Sequence, residues 1–146
     1  MSAPLNDKDE VRRLLNEHVP EIASGAVEIK GIARETGQRV IIVVHAPDAS
    51  VCPIGSCVGR RGERIKTVMR ALPGDKIDVV KWSESTRDFI RNLIAPAKVE
   101  QLAFDTAGHR ATVTVSGDST RLTRDGGVGL RLVSRLAGWD LELIEM

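Results

Sequence analysis

The apolar residues at the start of the chain follow helical spacing. Val11, Leu14 and Leu15 would share one face of a helix over residues 7–18, with Asn6 or Asp7 as its N-cap and Pro20 beyond its end. Two runs with strand character follow at residues 27–35 and 39–46, separated by a short turn at 36–38. The continuous β-branched run at residues 40–44 predicts a central strand buried on both faces.

A second pair of helices is predicted after a loop at residues 47–53. A short helix at 54–58 is broken at Gly59, and a longer one runs from about Gly62 to Leu72, where Pro73 and Gly74 stop it. Residues 76–82 then read as a strand. The predicted order is helix, strand, strand, helix, helix, strand.

The same order repeats in the second half of the chain. Ser85 can cap a helix over 86–94, strands are predicted at 99–105 and 110–116, and a short helix at 117–123 precedes a helix at 130–137 and a last strand at 139–145. Two copies of one six-element unit are the economical interpretation. The sequence therefore predicts an α/β (α+β) protein with domains at residues 1–83 and 84–146.

The composition of the chain bears on its cellular location and on where its positive charge is concentrated. The chain of 146 residues has 42% apolar residues and a formal net charge of +1. It shows no apolar run of bilayer length and no signal-peptide pattern at its start, so we expect a cytoplasmic protein that does not insert into membranes. Positive charge is local: residues 60–70, RRGERIKTVMR, hold five basic residues and one acid. A local polyanion site is favoured over general polyanion coating, although a solvated helix face would look the same.

The basic stretch begins with the motif Gly59-Arg60-Arg61-Gly62. Two glycines let a backbone turn tightly and approach another chain closely. The helix that follows offers free N–H groups and the positive end of its dipole, which attract phosphate. In this interpretation Arg60 and Arg61 face phosphates, and Arg64 and Lys66 support them. Bases would lie on an apolar surface formed by Ile54, Val58 and Ile65.

A Gly-x-x-Gly sequence alone is weak evidence, because a simple helical corner can use the same glycines. Its setting between two helices, after a hairpin and before a strand, is the one found in KH modules, which clamp single-stranded nucleic acid with such a loop. The prediction is thus two tandem KH domains, each α-β-β-α-α-β, that bind single-stranded RNA.

The chain also resembles the KH region of the NusA family of transcription factors. The resemblance rests on residues 18–22 (HVPEI) and 25–35 (GAVEIKGIARE), on 54–65 (IGSCVGRRGERI), on 76–84 (KIDVVKWSE), and on 89–92 and 95–97. It implies KH domains of the prokaryotic type (type II), which have this element order. It also implies a cytoplasmic factor in transcription elongation, termination and antitermination. Its partners would be the nascent transcript and the RNA polymerase elongation complex.

Two departures from the family pattern limit these expectations. The second unit carries Arg124-Asp125-Gly126-Gly127 where the family has Gly-x-x-Gly, so any RNA contacts there should be weaker; Arg121, Arg124, Gly127 and Arg131 are the candidates. The polymerase-binding domain and the oligonucleotide-binding barrel that precede the KH pair in bacterial NusA are also missing from this sequence. It is either a stand-alone paralogue or an excised pair.

No arrangement of residues suggests catalysis, a metal site or a cofactor, and we expect a monomeric binding protein that is not an enzyme. Cys52 and Cys57 match no zinc spacing and are expected to be small buried residues. Trp82 and Trp139 are expected to pack near strand ends. Two alternatives to transcriptional RNA binding stay open: a protein-interaction adaptor on a KH scaffold, and a general RNA chaperone or ribosome-associated KH protein.

Overall fold

The computed structural model describes residues 7–146, so the possible N-cap Asn6 lies outside the described residues. Its contacts divide the chain into two compact units, Met1–Trp82 and Ser83–Met146. Each unit has a three-stranded sheet of its own, with its helices packed against that sheet.

Between residues 7 and 82, the first unit has four α-helices and three strands. In chain order these are α1 (Asp7–His18), α2 (Pro20–Ser24), β1 (Glu28–Glu35), β2 (Arg39–His45), α3 (Pro53–Val58), α4 (Glu63–Ala71) and β3 (Lys76–Lys81), with a single 3-10 turn over Arg60–Gly62. The predicted elements are confirmed to within two residues at most ends. The short helix α2 was not predicted: Pro20 does follow the end of α1, but it also supplies the fixed φ that opens the next helix.

Strand β2 lies at the centre of the first sheet. It pairs antiparallel with β1 and parallel with β3. Every residue from Val40 to Val44 is buried, which confirms the prediction from the β-branched run. Alternate residues of β2 pack with α1 and α4 through a core that includes Leu15, Val68 and Leu72.

A buried carboxylate fixes the turn between β1 and β2 to the start of β3. Asp75 accepts a 2.7 Å hydrogen bond from Arg34 Nε and another from the backbone N–H of Gly37. Both the Arg34 and Asp75 side chains are almost fully buried, so each charge depends on the other for compensation.

The second unit repeats the arrangement. It consists of α5 (Thr86–Ile94), β4 (Lys98–Asp105), β5 (Arg110–Ser116), α6 (Thr120–Thr123), α7 (Val128–Ala137) and β6 (Asp140–Glu145). Ser85 caps α5 as predicted, because its hydroxyl accepts a hydrogen bond from Asp88 N. Strand β5 is central and β6 lies at one edge of the sheet. The element order and the predicted fold class are confirmed.

None of the helices within residues 7–146 combines the length and the apolar character that a membrane span requires.

Candidate nucleic-acid interface

The loop between α3 and α4 has an unusual backbone. Gly59 adopts φ +78° and ψ 174°, a combination that essentially only glycine tolerates, and Gly62 adopts a left-handed conformation at φ +73°. Arg61 is also left-handed, at φ +57°, which costs an ordinary residue about 1–2 kcal/mol. Backbone strain of this kind is concentrated at binding sites, so the outlier supports a functional reading of this loop.

Gly59 is further constrained by its neighbours. A Cβ built at Gly59 would lie 2.7 Å from Arg64 Cγ and 3.0 Å from the Arg64 backbone nitrogen. A Cβ at Gly62 would meet nothing closer than 3.7 Å. The two glycines of the motif therefore have different tasks: the first lets the chain pass against α4, and the second provides the turn into that helix.

Three basic side chains of the loop and of α4 are available to a ligand. Arg60, Arg61 and Lys66 are exposed, and within residues 7–146 none of them forms a side-chain hydrogen bond or an ion pair. Lys66 leans over the turn, because its Cε is the atom nearest to the Cβ position of Gly62. One acid, Glu63, lies beside them in the first turn of α4. The local charge stays clearly positive.

Arg64 is held inside the unit. Its Nη1 donates to both carboxylate oxygens of Glu21, at 3.1 and 2.7 Å, and to the backbone oxygen of Ser56 at 2.7 Å. The hydrogen bond and charge of Arg64 hold the pKa of Glu21 below its usual value. Arg64 thus connects α2, α3 and α4, and its side chain packs directly against Gly59. Its predicted contact with RNA remains a prediction, and Nη1 would have to leave these acceptors to make it.

The apolar side of the loop comes from the two helices that flank it. Ile54 and Val58 on α3 and Ile65 on α4 are half-buried, and Ile54 packs against the core of the unit. Met69, which is not among the predicted site residues, is 41% exposed and lies one helical turn after Ile65. Its i+4 spacing from Ile65 was a usable signal for adding it to the same surface.

The two cysteines differ in environment. Cys57 is buried as predicted, and burial, with a smaller effect of the nearby Glu21 carboxylate, raises its pKa to about 11. The prediction for Cys52 was wrong. Cys52 is exposed at the N-cap of α3, where its sulfur accepts a 3.4 Å hydrogen bond from Gly55 N. The residues described contain no cluster of potential metal ligands.

The second loop is built differently. Asp125 and Gly126 are left-handed at φ +54° and +72°, and Gly127 opens α7 at φ +79°. Arg124, at the position that corresponds to Gly59, has an ordinary φ of −68°. The loop therefore begins with a normal extended residue and carries a carboxylate where the first loop carries arginine.

Two of the three arginines predicted near this second loop already have partners within the unit. The guanidinium of Arg121 donates to the backbone oxygen of Leu93, and Arg131 Nη1 donates to Gly126 O at 2.6 Å. Arg124 is exposed. The weaker RNA contacts proposed for Arg121, Arg124, Gly127 and Arg131 stay predictions.

Comparison with known families identifies the first unit. The sequence profile described as "NusA-like first KH domain" matches residues 5–82, more than half of the chain. This chain belongs to the NusA-like KH family. The match ends at Trp82, which is also the last residue of the first compact unit.

Curated relatives of this NusA-like chain extend the similarity to the second unit. It is 41% identical to the transcription termination/antitermination protein NusA of Thermus thermophilus over 92% of its own length, and 37% identical to the proteins of the same name from Bacillus subtilis and Rickettsia conorii over 91% and 94%. It spans only 28–36% of the length of those relatives.

A solved structure supports the fold of the NusA-like chain. The crystal structure of APE1850 superimposes with a TM-score of 0.64 and 22% sequence identity, covering 99% of this chain and 100% of that one. The similarity at this identity concerns the fold alone.

Proposed function

We propose that the first unit binds single-stranded RNA through the loop at residues 59–62. KH domains as a class bind single-stranded nucleic acid with a Gly-x-x-Gly loop between two helices. The observation that carries the proposal is the pair of exposed arginines, Arg60 and Arg61, in a loop whose backbone is strained at Gly59 and Arg61. Neither arginine is engaged with another side chain of the described residues. Phosphates would lie along the loop and the start of α4.

The bases would then lie on the apolar side of the loop. Ile54, Val58 and Ile65 are half-buried, so each offers part of its surface to a stacked base without leaving the core. Met69 extends this surface along α4. Lys66 would provide a third phosphate contact beside Gly62, and Arg64 would act mainly by holding the loop in shape.

The test replaces the two loop arginines. Arg60→Asp/Arg61→Asp should lower the affinity for a random-sequence 12-nucleotide RNA, measured by fluorescence anisotropy. It should also reduce the salt slope of log affinity by about 1.4, since each lost single-strand phosphate contact contributes roughly 0.7. Lys8→Asp/Arg12→Asp on α1 is the matched control, because it changes the charge equally at exposed residues outside the loop. A loop variant that is folded by circular dichroism and binds RNA as tightly as the wild type would refute the proposal, and so would an equal loss in the control.

Preference for single strands needs a second measurement. The same RNA annealed to its complement should compete at least tenfold less well, because paired bases cannot reach the apolar surface of the loop. If the duplex competes equally well, the loop binds phosphates in general and has no preference for single-stranded RNA.

We further propose that this RNA binding serves transcription elongation, termination or antitermination, with the RNA polymerase elongation complex as a partner. The support is the name shared by the bacterial relatives, of whose length this chain spans 28–36%. Co-purification with RNA polymerase, before and after nuclease treatment, tests the partner. Recovery that disappears after nuclease would mean that the chain reaches polymerase through RNA alone.

A further inference from the structure

The residue that anchors Arg64 beside the proposed RNA loop is an acid. Glu21 on α2 accepts hydrogen bonds from Arg64 Nη1 at 3.1 and 2.7 Å through its two carboxylate oxygens. The hydrogen bond from Arg64 holds the pKa of this carboxyl below its usual value, so Glu21 is negative at neutral pH. A negative charge repels the phosphates of a nucleic acid. On charge alone, Glu21 would therefore weaken an RNA site to which it lies this close.

Helix α2 fixes the place of Glu21. Pro20 opens this helix with its fixed φ, and Ile22 is buried in the core of the first unit. The backbone oxygen of Glu21 accepts a 2.9 Å hydrogen bond from Val27 N. In the second unit, residues 95–97 connect α5 directly to β4. Among the described elements, support from such a helix therefore exists for the first loop and not for the second.

The Arg64 side chain connects the Glu21 carboxylate to the loop. Within residues 7–146, the one other acceptor of its guanidinium is Ser56 O at 2.7 Å. Its Cγ lies 2.7 Å from the position of a Cβ on Gly59. One neutral carbonyl is a weak restraint on a long side chain that is about one-third exposed. Without Glu21, the Arg64 side chain should leave this position in a fraction of the molecules, and the loop that packs on it should lose its fixed backbone.

Glycine and arginine exchange places between the two units at this contact. The first unit has Gly59 in the loop and Arg64 on the helix that follows. The corresponding residues of the second unit are Arg124 and Gly129, and a Cβ on Gly129 would lie 2.1 Å from Arg121 O. The backbones of α6 and α7 therefore meet directly, with no room for a side chain. A loop supported by a side chain and its anchoring acid belongs to the unit whose loop carries two arginines.

We propose that Glu21 is a positioning residue for RNA binding, which acts by holding Arg64 against the loop. The fixed loop then presents Arg60 and Arg61 to phosphates. This inference rests on the RNA site proposed above and adds to it a residue outside the loop. Its consequence is the sign of an effect. Removing a negative charge near a phosphate site strengthens binding if charge decides, whereas removing a positioning contact weakens binding, because fewer molecules have the loop in its binding arrangement.

The experiment measures the affinity of the full chain for the 12-nucleotide RNA. Glu21→Gln should lower it about threefold, as expected when a partly exposed ion pair no longer holds the binding arrangement. The salt slope should stay the same, because no phosphate contact is removed. Glu21→Asp keeps the charge but withdraws the carboxylate by one methylene, so it should also weaken binding. Glu17→Gln is the matched control, since it makes the same charge change and breaks a 2.8 Å ion pair with Arg13 on α1; it should bind at least as tightly as the wild type.

Two further measurements show whether Glu21 acts through Arg64. In the ¹⁵N-labelled chain without RNA, Glu21→Gln should shift the amide signals of residues 59–62 more than Glu17→Gln does, because the loop packs on Arg64. In an Arg64→Met background, which has no guanidinium to hold, Glu21→Gln should leave the affinity unchanged or raise it slightly. A role of Glu21 in general stability would lower the affinity equally in both backgrounds.

The proposal is overturned if Glu21→Gln binds RNA as tightly as the wild type or more tightly. An equal loss in Glu17→Gln, or in both Arg64 backgrounds, would overturn it too. The variant Arg60→Asp/Arg61→Asp identifies which conclusion fails. If it loses affinity while Glu21→Gln does not, the RNA site stands and Glu21 has no positioning role. If neither variant loses affinity, the RNA site itself is refuted, and the role of Glu21 with it.

Discussion

The two glycines of the first loop should respond very differently to the same substitution. Gly59→Ala and Gly62→Ala each add one methyl group, three residues apart in one loop. At Gly59 the new methyl meets Arg64 Cγ at 2.7 Å and the Arg64 backbone nitrogen at 3.0 Å, whereas at Gly62 the nearest atom is 3.7 Å away. Comparing the two variants therefore separates the effect of the close contact with Arg64 from the effect of the left-handed turn.

The expected costs follow from conformation and contact. Alanine at the Gly59 angles costs about 1–3 kcal/mol, and the overlap with the backbone of α4 adds about 1 kcal/mol or more. Alanine in the left-handed conformation of Gly62 costs about 1 kcal/mol. Each substitution recovers roughly 0.4–1 kcal/mol by restricting the unfolded chain. Gly59→Ala should thus be the less stable of the two by about 2 kcal/mol.

Urea unfolding followed by tryptophan fluorescence can measure this difference. In a Trp139→Phe background Trp82 reports on the first unit alone, since the chain has two tryptophans. A difference of about 2 kcal/mol corresponds to roughly 8–16 °C in the melting temperature of a unit of this size. Equal unfolding free energies for the two variants would refute the argument that Gly59 is held by its contact with Arg64.

Two further predictions concern titratable groups. Arg64 lowers the pKa of Glu21, so this carboxylate stabilises the folded unit above its usual pKa and the contribution disappears as pH falls through the lowered value. Glu21→Gln should cost about 1 kcal/mol or less at pH 7, because both partners are about one-third exposed, and almost nothing near pH 2; a constant difference in urea unfolding would contradict this. With iodoacetamide at pH 8, mass spectrometry should find one label on the folded chain, at Cys52, and none in Cys52→Ser; labelling of folded Cys57 would contradict its burial and its pKa of about 11.

Elements with strong periodicity could be predicted from the sequence. Local patterns are sufficient to predict β2 and the helix capped by Ser85. A strand buried on both faces is a continuous apolar run, and a capping serine directly precedes its helix. The setting of the Gly59–Gly62 motif between two helices followed from the same patterns. This part of the site was accessible because the loop and its flanking helices are continuous in sequence.

The partners of the site residues could not be predicted in the same way. The basic run predicts a phosphate contact for Arg64 and gives no sign of its ion pair with Glu21, which lies 43 residues earlier on the unpredicted helix α2. An ion pair between residues so far apart in sequence depends on how α2 packs beside α4, and hydrophobic periodicity does not predict that packing.

The two loops occupy the same place in the element order but project different charge. In the first unit, the angles of Gly59 and the anchored Arg64 leave Arg60 and Arg61 facing outward, so the loop projects positive charge that its own unit does not neutralise. In the second unit, Arg131 bonds back to the loop and Asp125 occupies the outward position, so the loop projects little net charge. Because the two loops lie between corresponding helices, they differ mainly in the charged side chains that they carry. We therefore expect the RNA affinity proposed for the first loop to have no equally strong counterpart at the second loop.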